Sequence, residues 1–173
     1  QMYYTGADVS LAALFSAGSN LTTGDYKKKD AVNVYKYDNT LMAVTVTGAQ
    51  LKAIMEQQAG NYFNAYTPGD VTISFDPEIR MYNYDMFAGI DYEIDISKPE
   101  GERIVNLMYE GEPLSTDAEL VLALNNYRYG GLVTAGMIDP AGLVFDSTID
   151  LADTPAVRDL ISVYAQMKGE LIP

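Results

Sequence analysis

Five consecutive apolar residues, Leu120, Val121, Leu122, Ala123 and Leu124, run without a break into the polar segment "NNYRYGG", Asn125 to Gly131. The run is of strand length, and with apolar side chains at odd and even positions alike it needs cover on both faces. That requirement excludes a flat, one-sided sheet. It also leaves the polar ending unexplained, because two asparagines, two tyrosines and an arginine do not continue a core strand.

The rest of the chain supplies further strands and the helices to cover them. "TLMAVTV" is β-branched and compact, a buried strand by composition, and "TVTGAQLKAIMEQQAG" continues it into a helix. There Leu51, Ile54 and Met55 share a face, with Thr47 as N-cap and Gly60 as stop. "IDYEIDIS" alternates, with Ile90, Tyr92, Ile94 and Ile96 on one side and Asp91, Glu93 and Asp95 on the other. The Pro-Gly turn "KPEGE" leads to another strand, "RIVNLMYEGEP", and the apolar run at Leu120 is expected as the next strand of that meander. "DTPAVRDLISVYAQMKG" predicts a closing helix with Thr154 as N-cap, Pro155 first, and Val157, Leu160, Ile161, Tyr164 and Met167 on one face. Antiparallel strands with helices at intervals indicate one α+β domain over residues 1–173. "NLTTGDYKKKD" reads as a surface excursion. "TGADVSLAALFS" fits helix and strand alike.

Charge and missing residue types then limit function. Eleven Lys and Arg against 24 Asp and Glu give a net charge of −13, which opposes binding of polymeric nucleic acid. The chain has no His and no Cys, so it holds no zinc site, Ser-His-Asp triad, cysteine nucleophile or disulfide. Carboxylate or tyrosine chemistry remains open, but no paired acid and base stand out. No apolar run approaches the ~20 residues that span a bilayer. The chain opens at Gln1 with neither an initiator Met nor a leader, and we expect it to be a piece of a longer protein.

Asp91, Glu93 and Asp95 could bind a hard cation, and Lys27, Lys28 and Lys29 could attract phosphate. A solvated sheet face and a soluble loop explain these residues, and no metal or catalytic site is placed on them. "NVYKYDNT" and "NNYRYGG" are different. Each sets aromatics beside amide or guanidinium groups at a strand end, the arrangement that forms a slot for a flat heterocycle.

The segments "TGADV", "YKYDNTLMAVTVTGAQLKAIME", "YNYDMFAGIDYEIDISKPEGERI" and "LNNYRYGG", in order over nearly the whole chain, closely resemble the C-terminal domain of the 5′-nucleotidase superfamily. The bacterial 2′,3′-cyclic-nucleotide 2′-phosphodiesterase/3′-nucleotidases resemble it most. The resemblance implies a layered α/β/β/α domain, its N-terminal helix truncated so that Gln1 to Tyr4 form the last turn, with a strand from "TGADV". It implies a nucleoside or nucleotide ligand stacked between two aromatic side chains. The family's "PFGNT"-like segment falls on "KYDNT", nominating Tyr37 for stacking and Asn39 for the base edge. The second wall falls on Tyr127, with Asp85 and Arg128 as further binding candidates.

The resemblance also implies a separate N-terminal metallophosphatase domain on the same chain, holding two divalent metal ions. This domain alone should be catalytically inert and need no cofactor. Export to the periplasm, cell wall or medium would follow. Two departures bear on the branch: Ala13 and Gly18 stand where 5′-nucleotidases place an Asn and an Arg on the nucleotide, and Leu132 stands where a ribose-binding Asp is expected. Both favour the cyclic-phosphodiesterase branch over a 5′-nucleotidase or UDP-sugar hydrolase. A non-catalytic surface module of the same fold, binding a glycan or host protein, is the rival from another class.

Overall fold

The computed structural model describes residues 1–169. A single turn α1 (Met2–Thr5) leads to β1 (Val9–Ala13), followed by α2 (Lys28–Val34), β2 (Leu41–Thr47) and α3 (Gly48–Tyr62). Then come β3 (Asp85–Ala88), β4 (Asp91–Ile94), β5 (Ile104–Tyr109), β6 (Glu112–Pro113) and β7 (Glu119–Asn125). The chain continues through α4 (Asn126–Thr134), β8 (Leu143–Asp146), α5 (Ser147–Asp150) and α6 (Val157–Lys168). A five-stranded sheet in the order β3-β1-β7-β2-β8 and a three-stranded sheet in the order β4-β5-β6 make up the β structure.

The apolar run at Leu120 is β7, and it is not the next strand of the meander. It crosses to the centre of the larger sheet, parallel to β1 and antiparallel to β2. Its two apolar faces explain the move, since only a central strand is covered on both sides. Leu120, Leu122 and Leu124 join Val9, Leu11, Met42, Val44 and Val46 against Leu51, Ile54 and Met55 of α3, Ile104 of β5 and Leu132 of α4. The opposite face carries smaller residues, Ala43 and Ala123, both fully buried. On that side Leu41 packs with Tyr35, Val157 and Leu160, backed by Tyr4 and Ile161. The sheet thus lies between α3 with the small sheet on one side and α1, α2 and α6 on the other.

The strand-to-helix junction at Thr47 forms as its sequence indicates. Thr47 Oγ1 accepts from Gln50 N (3.1 Å) and Gln50 Oε1 accepts from Thr47 N (2.8 Å), a reciprocal capping box. The first helical donors also find partners, Gly48 N donating to Ala118 O and Ala49 N to Thr116 O. Residues 114–118 cross directly over this helix start. They can do so because residue 48 has no side chain: a Cβ there would lie 2.0 Å from Ser115 O.

Gly60 does not stop α3, which runs on to Tyr62. The end is set by Arg103, a buried residue whose Nη1 donates to Ala59 O (3.0 Å) and Phe63 O (2.8 Å) and whose Nε donates to Lys98 O (3.2 Å). A guanidinium on the terminal carbonyls meets both their lone pairs and the negative end of the helix dipole. Glu56 on the same helix accepts from the backbone N of Arg103 and of Ile104, each at 2.8 Å, and so ties β5 to α3.

The closing helix begins at Val157, two residues later than Pro155, and Thr154 is not its cap. Pro155 O accepts from Ser147 Oγ (2.6 Å), Ala156 pairs with Thr40, and Val157 N donates to Asn39 O (2.9 Å). These bonds hold residues 155 and 156 extended. Met167 is exposed, and Ala165 takes the buried place at that end. The opening segment resolves as the resemblance implies, one helical turn closed by Gly6 at φ 65° and then a strand whose Val9 and Leu11 are buried. In "NLTTGDYKKKD" the lysines are exposed, and Lys28 and Lys29 begin α2.

Candidate functional site

Strand register brings the two tyrosine-bearing segments together. Leu41, first in β2, pairs with Asn125, last in antiparallel β7, so the chain entering β2 and the chain leaving β7 lie at one end of the sheet. β1 runs parallel to β7 and ends at the same side, where Ala13 pairs with Asp85 at the start of β3. Four stretches therefore meet there: 14–15, 37–40, 81–84 and 126–128.

The polar ending of the apolar run is a helix start. Asn125 is the N-cap of α4, its Oδ1 accepting from Arg128 N (2.8 Å). Gly130 and Gly131 sit inside α4, at helical backbone angles, and make no turn after Tyr127. Leu132, one residue on, is buried against the core, so its side chain is unavailable to a ligand.

Asn126 is the lock between the two segments, and sequence reading does not single it out. Its Oδ1 accepts from Asn39 Nδ2 (3.1 Å) and from Thr40 N (3.2 Å), while its backbone N donates to Thr40 O (3.0 Å). Asn39 therefore spends one amide donor on the scaffold and keeps its Oδ1 free of protein partners among the described residues. Behind them Asn125 Nδ2 donates to Tyr35 Oη (2.9 Å), a buried phenol whose pKa is pushed up to about 12, first by burial. Arg158 at the start of α6 pairs with Asp38, and its Nη1 donates to Lys36 O (3.3 Å).

Tyr37 and Tyr127 stand at this end with 41% and 68% of their surface exposed. Their rings do not touch. Tyr37 meets Phe15 edge to face, with centroids 5.4 Å apart, and Tyr82 at 6.5 Å and 72°. Exposed aromatic faces on a hydrogen-bonded scaffold are surfaces on which a flat heterocycle stacks.

Asp85 and Arg128 pair with each other. Nε of Arg128 lies 2.5 Å from Asp85 Oδ2, and Nη2 donates to Asp85 Oδ1 (3.2 Å) and to Tyr82 O (3.3 Å). Asp85 is only 2% exposed, and its backbone N donates to Gln58 Oε1 (3.0 Å). Burial pushes its carboxyl up to about 6, with the Arg128 guanidinium acting in the opposite direction. The pair ties β3 to the first turn of α4, the turn that carries Tyr127.

Among the described residues no three His, Cys, Asp or Glu side chains converge as a metal site, and no helix is long and apolar enough to cross a membrane. Asp91 and Glu93 face solvent, with Glu93 accepting from Asn106 Nδ2 (2.8 Å). Ala13 closes β1, and Gly18 lies exposed beyond it.

Residues 1–138 match the family described as "5′-nucleotidase, C-terminal domain". A 2′,3′-cyclic-nucleotide 2′-phosphodiesterase/3′-nucleotidase of Haemophilus influenzae is 35% identical over 95% of this chain, which covers 28% of that protein. A trifunctional nucleotide phosphoesterase of Bacillus subtilis is 34% identical over 71% of this chain and 10% of its own length. A crystal structure of a Staphylococcus aureus protein assigned as a 5′-nucleotidase, in complex with alpha-ketoglutarate, superposes with a TM-score of 0.79 at 27% identity, over 95% of this chain and 31% of that one. The chain thus spans less than a third of each of these proteins. It belongs to the 5′-nucleotidase C-terminal domain family.

Proposed function

We propose that this chain is the substrate-binding domain of a two-domain, metal-dependent phosphoesterase that hydrolyses 2′,3′-cyclic nucleotides and 3′-nucleotides. The base stacks between Tyr37 and Tyr127, and Asn39 meets its edge. What carries the reading is the Asn126 lock, which joins the two aromatic segments by three hydrogen bonds and leaves both rings open to solvent. The names of relatives at 34–35% identity support the phosphoester class. Ala13 and Gly18 offer no charge for a 5′-phosphate, which fits a phosphate carried at the 2′ and 3′ oxygens.

In this reading the chemistry belongs to a separate N-terminal domain of the same parent chain. Two divalent ions there would activate water for attack on phosphorus. Asp85 and Arg128 act one step back from the ligand, holding the turn that presents Tyr127. The parent protein is exported to the cell wall, periplasm or medium.

Two measurements test this. Isothermal titration with adenosine should show Tyr37→Ala and Tyr127→Ala each weakening binding by about 1–3 kcal/mol; unchanged affinity in both variants refutes the slot. The chain alone, given 2′,3′-cyclic AMP and Mn²⁺, should release no product. Turnover would move the catalytic groups into this domain.

A further inference from the structure

Tyr82 opens the segment "YNYDM" and lies in a short 3₁₀ turn, Met81–Asn83, at the same end of the sheet; sequence reading gives it no role. The residue is 39% exposed, and its ring stands 6.5 Å from the ring of Tyr37, inclined at 72°. Its carbonyl accepts from Arg128 Nη2 (3.3 Å), the residue that follows Tyr127. Tyr82 is thus joined on one side to the first proposed wall of the slot and on the other to the turn bearing the second. Among the described residues its hydroxyl makes no hydrogen bond.

We propose that Tyr82 is the edge contact of the slot and sets a preference for purine over pyrimidine nucleosides. The proposal rests on the nucleoside reading above. A base lying parallel to Tyr37 meets a ring inclined at 72° with its perimeter, so Tyr82 cannot form a third stacking layer. It touches the base edge-on, an arrangement favourable for aromatic pairs. A bicyclic purine has the longer perimeter and reaches this third wall while still covering Tyr37. A single-ring pyrimidine leaves more of that space to water.

The test is titration of adenosine and uridine into the unchanged chain and into Tyr82→Ala, Tyr82→Phe and Tyr37→Ala. Tyr82→Ala should weaken adenosine binding roughly tenfold and uridine binding less than about threefold, with Tyr82→Phe within about threefold of the unchanged chain for adenosine. The Phe variant removes only the hydroxyl, so affinity retained there assigns the contact to the ring, and the uridine titration separates that contact from a general loss of the turn. Tyr82→Ala with unchanged adenosine affinity, or with equal losses for both nucleosides, overturns the edge contact while Tyr37→Ala still reports the slot. No adenosine binding by the unchanged chain, or none lost in Tyr37→Ala, overturns the slot and the Tyr82 assignment with it.

Discussion

Arg128→Ala should destabilise the chain by about 3–5 kcal/mol in denaturant unfolding, because it strips the only charged partner among the described residues from a carboxylate that is almost completely buried. For a chain of this length that corresponds to a fall in Tm of roughly 10 °C. The defect should also depend on pH. Asp85 has a pKa of about 6 in the folded chain against 3.8 as a free carboxyl, so the folded state binds the proton more tightly. Its contribution to stability is therefore complete below pH 3.8, falls as pH rises through about 6, and is level above. Without Arg128 the folded pKa rises further, the fall continues to higher pH, and the gap between variant and parent should widen from pH 5 to pH 8. A control removes both charges: Asp85→Leu with Arg128→Met should recover most of the loss, since no buried charge is then left alone. A loss below about 1 kcal/mol at pH 8 would mean that water already solvates the pair.

Arg103→Ala should cost about 4 kcal/mol, combining a cavity with the Phe63 and Lys98 carbonyls left without their donor and Ala59 O reduced to its bond from Phe63 N. Arg103→Met separates the two contributions. It keeps most of the volume and removes every guanidinium donor, so it should retain the larger part of the loss if hydrogen bonding dominates. Hydrogen exchange locates the effect: amides in the last turn of α3, near Ala59 to Tyr62, should lose protection before those near Thr47, whose capping box is untouched. Uniform loss along the helix would show that Arg103 does not act as its cap.

The two arginines also separate what a local reading reaches from what it does not. The strand and helix around Thr47, the alternating strand at Asp91 and the burial of Leu120 to Leu124 are all legible in the sequence, because each depends on side-chain periodicity or on a cap three residues away. The family resemblance adds the two tyrosine-bearing segments as candidates for a nucleoside site, since "KYDNT" and "NNYRYGG" are contiguous motifs. Positions that depend on a distant partner are not legible in this way. Gly60 carries the sign of a helix stop, yet Arg103, more than 40 residues on, draws the helix to Tyr62. Thr154 and Pro155 carry the signs of a helix start, yet bonds from Ser147 and Asn39 hold their neighbours extended.

Local pattern is enough to establish which segments are apolar on one face and which on two, the cap at Thr47, the absence of His and Cys chemistry, and the resemblance that nominates Tyr37, Asn39 and Tyr127. Long-range packing places β7 outside the meander, at the centre of the larger sheet, and makes its polar end the capped start of a helix. The structure also decided that Asn126 locks to Asn39, that Arg128 pairs with Asp85, and that Tyr82 stands beside Tyr37. The reason is the range of the interactions. Periodicity and capping act within a few residues, whereas strand register joins Leu41 to Asn125 and Ala13 to Asp85, placing at one sheet end side chains that lie far apart along the chain.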